Sequence, residues 1–476
     1  MKQLFMKFSY RYKNKKYLLS IVLLLSVITI VFSQKKPIST GIIIDSIAIL
    51  NSTETYALYL PKKFDEKKLT SIVFIFEPAA RGKTGIRPFI KSAEKYNYVL
   101  ICSNNSKNGP MEINFEITNR LFNSVFETYN IDKNLIYAAG FSGGSRFATT
   151  IAVLTKQIQG VVACGAGFSP NNNHIPMSKE SFSYAGLVGD RDMNYQEMFT
   201  VKGWLDRFQI ANEIFIYDDN HRWPPPNQLL KAFEWLELEA YKKNIKQVDK
   251  IFLKESYQNS YKNAKTLEND NKIEQSVWEY ERIQKNYSRY YILDSIKKKV
   301  SELKSRKNYR KTKKHQLEVK NIESKIRKKI SKRFRKELTA KKKPNSYTWW
   351  KKELKKLNDT YLKSKNILFK KMGERIIYAS YAMSIEAANN QLRNRNIVNA
   401  LYCHNLVALI IPEKPFPYFL LAKDYALLND DENVFKNLEI AISKGLVSKN
   451  LLLKTTAFLK YKNSEQFLAI LNLLNK

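Results

Sequence analysis

Short apolar runs alternate with amphipathic stretches from about residue 41 to residue 241, and this alternation restricts the fold more than any other feature. The apolar runs are residues 55–60, 71–76, 98–102, 135–140, 161–167, 184–189 and 213–218. Helix-like segments lie between most of them, for example 89–96, 115–129 and 195–209. Strands that alternate with helices of this length form a mainly parallel sheet with helices on both faces. The pattern therefore predicts an α/β domain over residues 41–241.

The strand pattern stops after about residue 242. Residues 242–372 are rich in Lys, Arg, Tyr and Asn with apolar residues at helical spacing, which predicts a basic helical region. In 373–476, residues 399–410 realign on 433–444 with an offset of 34. This period resembles tetratricopeptide repeats, built of helix–turn–helix units. The resemblance implies a groove for a peptide or protein partner, and the alternative is an all-helical structural appendage.

The first residues bear on the net charge of +37, which by itself would suggest a polyanionic partner. A basic segment precedes the apolar run LLSIVLLLSVITIVF (18–32), and Val31-Phe32-Ser33 then offers a cleavage site. This pattern predicts a secretory signal peptide over residues 1–34, with an uncleaved N-terminal membrane anchor as the alternative. Either way the protein is expected in the periplasm or outside the cell, so nucleic acid is not an expected partner. The basic helices then imply either contact with an anionic envelope surface or merely solvated helix faces.

Cysteine and histidine are too few to build a disulfide framework or a metal site. Cys102, Cys164 and Cys403 lie in apolar patterns and are expected to be small buried side chains, with a Cys102–Cys164 bridge as the alternative. The four histidines are scattered, and no cysteine pair has zinc-ligand spacing. No glycine-rich phosphate loop follows the first strand. We expect no metal and no cofactor.

The segment IYAAGFSGGSRFA (136–148) joins a predicted strand to a predicted helix through Ser142. Small residues on both sides of the serine permit a sharp strand-to-helix turn that exposes its hydroxyl at the carboxyl edge of the sheet. The N-terminal amides of the next helix would point at an oxyanion formed there. Ser142 is therefore predicted to be a nucleophile, and an ordinary structural turn is the alternative.

A nucleophilic serine needs a base, and His221 is the candidate. It follows the last predicted strand directly, whereas His174 lies in a polar loop and His315 and His404 fall outside the α/β domain. Trp223 and the prolines after it are expected to fix the loop.

The acid should come between the serine and the histidine, after the preceding strand. Asp190 and Asp192 both follow the run YAGLVG (184–189). Asp192 is the preferred acid because of its spacing from the strand, and Asp190 is the alternative. A carboxylate there would hold the imidazole tautomer and stabilise the imidazolium that forms during attack.

Three motifs together resemble the compact α/β-hydrolases of the polyhydroxybutyrate depolymerase and feruloyl esterase type. They are GFSGG (140–144), GDRD (189–192) and HRWP (221–224). The resemblance covers roughly residues 50–240. It implies an α/β-hydrolase fold, here followed by an all-α helical-repeat region, and ester hydrolysis through an acyl-enzyme.

Two departures from that family concern the oxyanion hole and the histidine loop. Glu77-Pro78 replaces the family's His-Gly, and proline has no N–H to donate. The expected oxyanion donors are therefore the amide of Gly143 and that of Ala79 or Ala80. Asp219-Asn220 also stands where two glycines are usual.

The spacing from Ser142 to His221 leaves no segment for a lid, so an open, shallow site is expected. Such a site suits an ester-bearing small molecule or polymer. The expected substrate contacts are Glu77, Arg81, Tyr195 and Trp223, with Asn104, Asn105 and Phe168 as further rim residues. The sequence thus predicts an exported serine hydrolase, a carboxylesterase in the first place, with a peptidase or acyltransferase still open. The rival hypothesis is an inert hydrolase-like scaffold whose helical half binds a protein or a polyanion.

Overall fold

The computed structural model describes residues 39–344 and 346–474. The predicted signal peptide, residues 1–34, lies outside the described residues.

One eight-stranded sheet organises the first half of the chain, in the order β1-β2-β4-β3-β5-β6-β7-β8. Its strands are β1 (Ile43–Ala48), β2 (Thr55–Tyr59), β3 (Thr70–Phe76), β4 (Tyr98–Ser103), β5 (Ile131–Phe141), β6 (Gly160–Cys164), β7 (Ser183–Gly189) and β8 (Asn212–Tyr217). The pairs from β4 to β8 are parallel, while β2 pairs antiparallel with both β1 and β4. All seven strands predicted from the sequence are present, and β1 was not predicted.

Helices cover both faces of this sheet. They are α1 (Gly82–Ile86), α2 (Ile90–Tyr96), α3 (Met111–Thr128), α4 (Gly143–Thr155), α5 (Tyr195–Arg207) and α6 (Pro226–Lys242). Alternate residues of β3 point to opposite faces, so Phe74 packs in the core beneath α3, α4 and α5, and Val73 in the core beneath α2 and α6. Both are fully buried, which explains why the strand is continuously apolar. The predicted α/β-hydrolase-like fold class is confirmed.

The second half of the chain is helical, and no strand follows β8 within the described residues. Its helices are α7 (Lys250–Asn269), α8 (Ile273–Tyr287), α9 (Asp294–Ser305), α10 (Lys307–Thr339), α11 (Thr348–Leu357), α12 (Ile367–Arg393), α13 (Ile397–Ile410), α14 (Pro415–Leu427), α15 (Asp431–Ser443), α16 (Lys449–Lys454) and α17 (Glu465–Leu473). The side chains of Asn396 and Asp430, 34 residues apart, cap α13 and α15 in the same way. The offset is thus visible in the helices, while membership of the tetratricopeptide family stays a prediction.

The three cysteines are free and buried. Cys102 on β4 and Cys164 on β6 are separated in the sheet by β3 and β5. Three strand spacings amount to about 14 Å, beyond the reach of a disulfide. The alternative of a Cys102–Cys164 bridge is therefore wrong. Among the helices that the structure describes, none is both long enough and apolar enough to cross a membrane.

Candidate active site

Ser142 sits at the sharp turn between β5 and α4. Its backbone has φ 54° and ψ −117°, a conformation that costs a non-glycine residue about 1–3 kcal/mol. The turn is tight because Gly140 and Gly144 pack against each other; a Cβ on Gly140 would lie 2.2 Å from the Gly144 carbonyl oxygen. The Ser142 amide donates to the Cys164 carbonyl at 2.8 Å, which ties the turn to β6. Ser142 therefore has the strained placement expected of a nucleophile elbow.

His221 connects Ser142 to Asp192 through a continuous chain of hydrogen bonds. Its Nε2 lies 3.0 Å from Ser142 Oγ, and its Nδ1 lies 2.8 Å from Asp192 Oδ2. The side chain of His221 is 7% exposed and that of Asp192 is 0% exposed. Because the pair is shielded from water, the carboxylate can fix the orientation of the ring and stabilise a positive charge on it.

Asp192 and Asp190 have different partners. The other oxygen of Asp192, Oδ1, accepts the Asn194 amide at 2.8 Å, and Asn194 Nδ2 donates to the Gly165 carbonyl at 2.7 Å. Asp190 forms an ion pair with Lys371 of α12. Burial raises the pKa of the Asp190 carboxyl, and the hydrogen bond and charge of Lys371 offset part of that rise. The structure brings Asp192, and not Asp190, against His221.

Aromatic rings pack against His221 and the loop that carries it. Phe141 lies 4.7 Å from the His221 ring and 5.3 Å from the Trp223 ring, measured between centroids. Trp223 also packs at 5.6 Å against Phe89 in the core. The expected support of the loop by Trp223 is present. The Trp223 ring faces the core, so the structure does not place it as the expected substrate contact.

The expected oxyanion donors Ala79 and Ala80 are already occupied. Glu77 Oε2 accepts the Ala79 amide at 2.8 Å, and the Glu77 carbonyl accepts the Ala80 amide at 3.0 Å. Glu77 is only 1% exposed and is also bonded to Arg81. The Glu77 carboxylate, at the position where the esterases that this sequence resembles have a histidine, thus accepts hydrogen bonds from its own loop. The oxyanion prediction for Ala79 and Ala80 is wrong in this conformation, and so is the prediction that Glu77 contacts substrate.

Asn108, which sequence reasoning missed, lies over Gly143. Its Oδ1 and Nδ2 are 1.9 and 3.0 Å from the point where a Cβ of Gly143 would stand. The Asn108 amide N–H donates to the Pro78 carbonyl at 2.9 Å, so its backbone is anchored while its side chain is exposed. Asn108 and Gly143 line a cavity of about 180 Å³ with Arg146. The residue follows β4 in the sequence Asn-Gly-Pro, and no local pattern distinguishes it from an ordinary turn.

Ser142, His221 and Asp192 form a candidate catalytic triad, and helix α12 from the helical half forms a wall beside it. Tyr378 lies with its ring centroid 5.6 Å from that of His221. On the same face of α12, Arg375 lies one turn before Tyr378 and donates a hydrogen bond to the Asp190 carbonyl. Glu386 lies about two turns after Tyr378, close enough to Arg146 and His221 for their charges to act on its carboxyl group. The segment between Ser142 and His221 supplies no lid, but a helix from far later in the chain stands beside His221, which the sequence did not predict. The predicted openness of the site stays a prediction.

The remaining predicted rim residues have structural roles. Tyr195 packs under the Arg375 guanidinium at 4.8 Å and lines a cavity of about 460 Å³ between the α/β domain and the helices. Asn104 accepts the Gly82 amide, and Asn105 accepts the Thr55 amide. Phe168 is buried and its carbonyl accepts from Arg146, whereas Arg81 is exposed but pairs with Glu77. Each of these five residues is thus engaged in a contact within the protein.

Within the described residues, no group of three or more His, Cys, Asp and Glu side chains is arranged to hold a metal ion.

Comparisons with known proteins give only remote structural likenesses. No family model matches the sequence. No curated protein matches it either. The solved structures that are similar to it include the S-formylglutathione hydrolase of Staphylococcus aureus (13% identity, 41% of this chain and 94% of that chain, TM-score 0.33). They also include the fluorophosphonate-binding serine hydrolase F of the same organism (12%, 41% and 96%, 0.34) and a ferulic acid esterase (16%, 41% and 96%, 0.33).

Proposed function

We propose that this protein is a serine hydrolase that cleaves carboxylic esters through an acyl-enzyme. The observation that carries the proposal is the chain of hydrogen bonds from Ser142 through His221 to Asp192, at 3.0 and 2.8 Å, ending on a strained turn. Nucleophile and base within hydrogen-bond reach, with the base oriented by a third group, is the arrangement that activates a hydroxyl.

In the proposed reaction His221 Nε2 takes the Ser142 proton while Oγ forms a bond to the ester carbonyl carbon. The electron pair of the carbonyl moves to its oxygen, and the Gly143 amide stabilises that oxyanion from the first turn of α4, where helical N–H groups are unpaired. The Asn108 side-chain amide is the second donor. His221 then gives its proton to the leaving alcohol as the tetrahedral intermediate collapses. Water then takes the place of the alcohol: His221 removes its proton while its oxygen attacks the acyl carbon, and His221 returns that proton to Ser142 Oγ as the acid is released.

The substrate site lies between two halves of the chain. The cavity of about 180 Å³ beside Gly143 would take a small group attached to the carbonyl. Tyr378 of α12 stands on the histidine side, where the leaving alcohol departs. We propose an ester-bearing small molecule, or an ester on a polymer chain end, as the substrate. The apolar segment at residues 18–32 supports export to the periplasm or beyond.

Labelling with a fluorophosphonate probe tests the proposal, because the probe reacts with activated serines. We expect the purified full chain to be labelled, and Ser142→Ala and His221→Ala to be unlabelled. Ser145→Ala and His174→Ala are the matched controls, since each removes a residue of the same type outside the triad, and both should be labelled. A folded wild-type chain that does not react would refute the esterase proposal.

A second candidate function, binding of a polyanionic surface, is favoured by one face of α10. Eight exposed cationic side chains occupy an arc of about 100° around the helix over about 44 Å. They are Lys307, Arg310, Lys311, Lys314, Lys325, Lys328, Lys332 and Lys336, and none has an ion pair within the described part of the chain. Glu318 is the one acidic side chain in this arc. We propose that this face contacts an anionic envelope surface. Binding of the protein to anionic lipid vesicles should then weaken steeply as the salt concentration rises, and also in a Lys328→Glu, Lys332→Glu variant.

A further inference from the structure

Residues 190–193, the acid loop that carries Asp192, form hydrogen bonds with helices outside the α/β domain. The carbonyls of Asp190 and Met193, on either side of Asp192, each accept a hydrogen bond from a guanidinium of the helical half. Arg375 Nη1 of α12 donates to the first at 2.8 Å, and Arg327 Nη1 of α10 donates to the second at 2.8 Å. The α/β domain itself holds the opposite side of this loop, through Asn194 and the Gly165 carbonyl.

One buried carboxylate joins the two arginines. Glu323 of α10 accepts Arg375 Nε at 3.1 Å and Arg375 Nη2 at 2.6 Å, and its Oε1 lies 3.6 Å from Arg327 Nη1. The side chains of Arg375 and Glu323 are 5% and 1% exposed. Because a planar guanidinium bound on two sides has little freedom, Glu323 fixes the direction in which each arginine donates.

Two further contacts bind α12 to the same loop. Lys371 pairs with the Asp190 carboxylate. The Arg375 guanidinium also covers the ring of Tyr195, the first residue of α5, at 4.8 Å. The acid loop therefore meets the helical half at its beginning, at its end and at the helix that follows it.

We propose that Arg375 and Arg327 are positioning residues of the catalytic centre and that the helical half completes it. They act through the backbone of residues 190–193, which places Asp192 Oδ2 against His221. This inference rests on the proposed function, since it assigns the two arginines a role in the same reaction. It makes the α/β domain catalytically competent only when α10 and α12 are docked on the acid loop.

The test compares Arg375→Met and Arg327→Met with Arg282→Met in the full chain. Arg282 of α8 is a matched control, because it is also largely buried (14% exposed) at the contact with the α/β domain and bonds Glu213 and the Ile214 carbonyl of β8, which are not part of the triad or of its acid loop. Two readouts are measured: hydrogen exchange of the peptide spanning 190–195, and the rate at which the fluorophosphonate labels Ser142. Melting temperatures identify any variant that fails to fold.

We expect both test variants to exchange faster at 190–195 and to be labelled roughly tenfold to hundredfold more slowly, as for a misplaced catalytic group. Arg282→Met should lose thermal stability while keeping its labelling rate. Within an Asp192→Asn background, Arg375→Met should slow labelling little further, because both changes disable the same support. Arg375→Lys should recover part of the rate.

Three results would overturn the inference: unchanged exchange at 190–195, equal labelling losses in Arg375→Met and Arg282→Met, or full additivity with Asp192→Asn. If Arg375→Met does not fold, Arg327→Met decides, since Arg327 is partly exposed and makes one bond to the loop. A wild-type chain that is never labelled would instead refute the proposed function, and the exchange measurement would still decide whether the arginines hold the loop.

Discussion

Replacing Asn108 by alanine isolates the least expected part of the proposed reaction, the second oxyanion donor. In the structure Pro78 has no N–H, and the Ala79 and Ala80 amides are bonded to Glu77. We propose the Gly143 amide and the side-chain amide of Asn108, which lies over Gly143, as the two donors. The substitution removes a side chain that has no partner elsewhere in the described structure, so it should leave the fold unchanged.

The magnitude follows from the number of donors and from their exposure. Removing one preorganised donor from an oxyanion hole costs about 10²–10³ in kcat. Asn108 is exposed, so water can replace part of its hydrogen bond. We therefore expect a loss of about tenfold to hundredfold, equivalent to about 1.4–2.7 kcal/mol of transition-state stabilisation. The ground-state carbonyl carries little charge, so KM should change little.

The assay is steady-state hydrolysis of a chromogenic short-chain ester by the wild-type chain, Asn108→Ala and Asn108→Asp. The aspartate keeps the shape but presents a negative charge to the oxyanion, so its loss should exceed that of alanine. Lys107→Ala is the control for a change in the same loop, because its side chain is exposed and forms no hydrogen bond with any residue that the structure describes. An Asn108→Ala variant within twofold of the wild type in kcat, or one that changes KM alone, would refute the assignment.

Further substitutions test the acid and a partly buried lysine. Asp192→Asn should lower kcat by about 10³–10⁴-fold because the imidazole loses its orienting carboxylate, whereas Asp190→Asn should lower it less than about tenfold; a loss in ester hydrolysis as large for Asp190→Asn as for Asp192→Asn would contradict this assignment. Burial lowers the pKa of Lys243 from 10.5 to about 8. Since its charged form is penalised in the folded state, the cost is fully present below pH 8 and disappears as pH rises to 10.5. The free energy of unfolding of the wild type should therefore rise by up to about 3 kcal/mol relative to Lys243→Met over that range, and chemical denaturation at pH 7 and pH 10.5 that shows no such difference would contradict it.

The sequence predicts the central sheet and the triad because their signals are local. The part of a strand that is buried on both faces is an apolar run, and Ser142, Asp192 and His221 each lie within four residues after a strand that contains such a run. β1 was missed for the opposite reason. It is an edge strand with exposed Asp45 and Ser46, and its pairing with β2 is interrupted by a bulge, so it lacks the continuous apolar pattern.

The errors at the rim have a different physical origin. The bond from Glu77 to the Ala79 amide spans two residues, so a glutamate in this place could have been expected to cap its own loop. The position of α12 beside the site could not have been expected from the sequence. Lys371 and Asp190 are 181 positions apart, and neither segment shows a pattern that selects the other. Nothing in the sequence of α12 reveals the loop on which it docks.

The two faces of α10 bear on the choice between an enzyme and an inert scaffold. Glu323 and Arg327 point to the acid loop, while the cationic stripe from Lys307 to Lys336 lies on the opposite side of the helix. A scaffold would need the outer face alone. It would have no use for a buried Arg375–Glu323 pair aimed at the Asp192 loop, because such a pair repays its desolvation only with good geometry and often stabilises less than apolar packing. The strained Ser142 is likewise a cost without a return in a scaffold. The two proposed functions would therefore use different faces of α10, and the buried Arg375–Glu323 pair and the strained Ser142 favour the proposed enzyme over an inert scaffold.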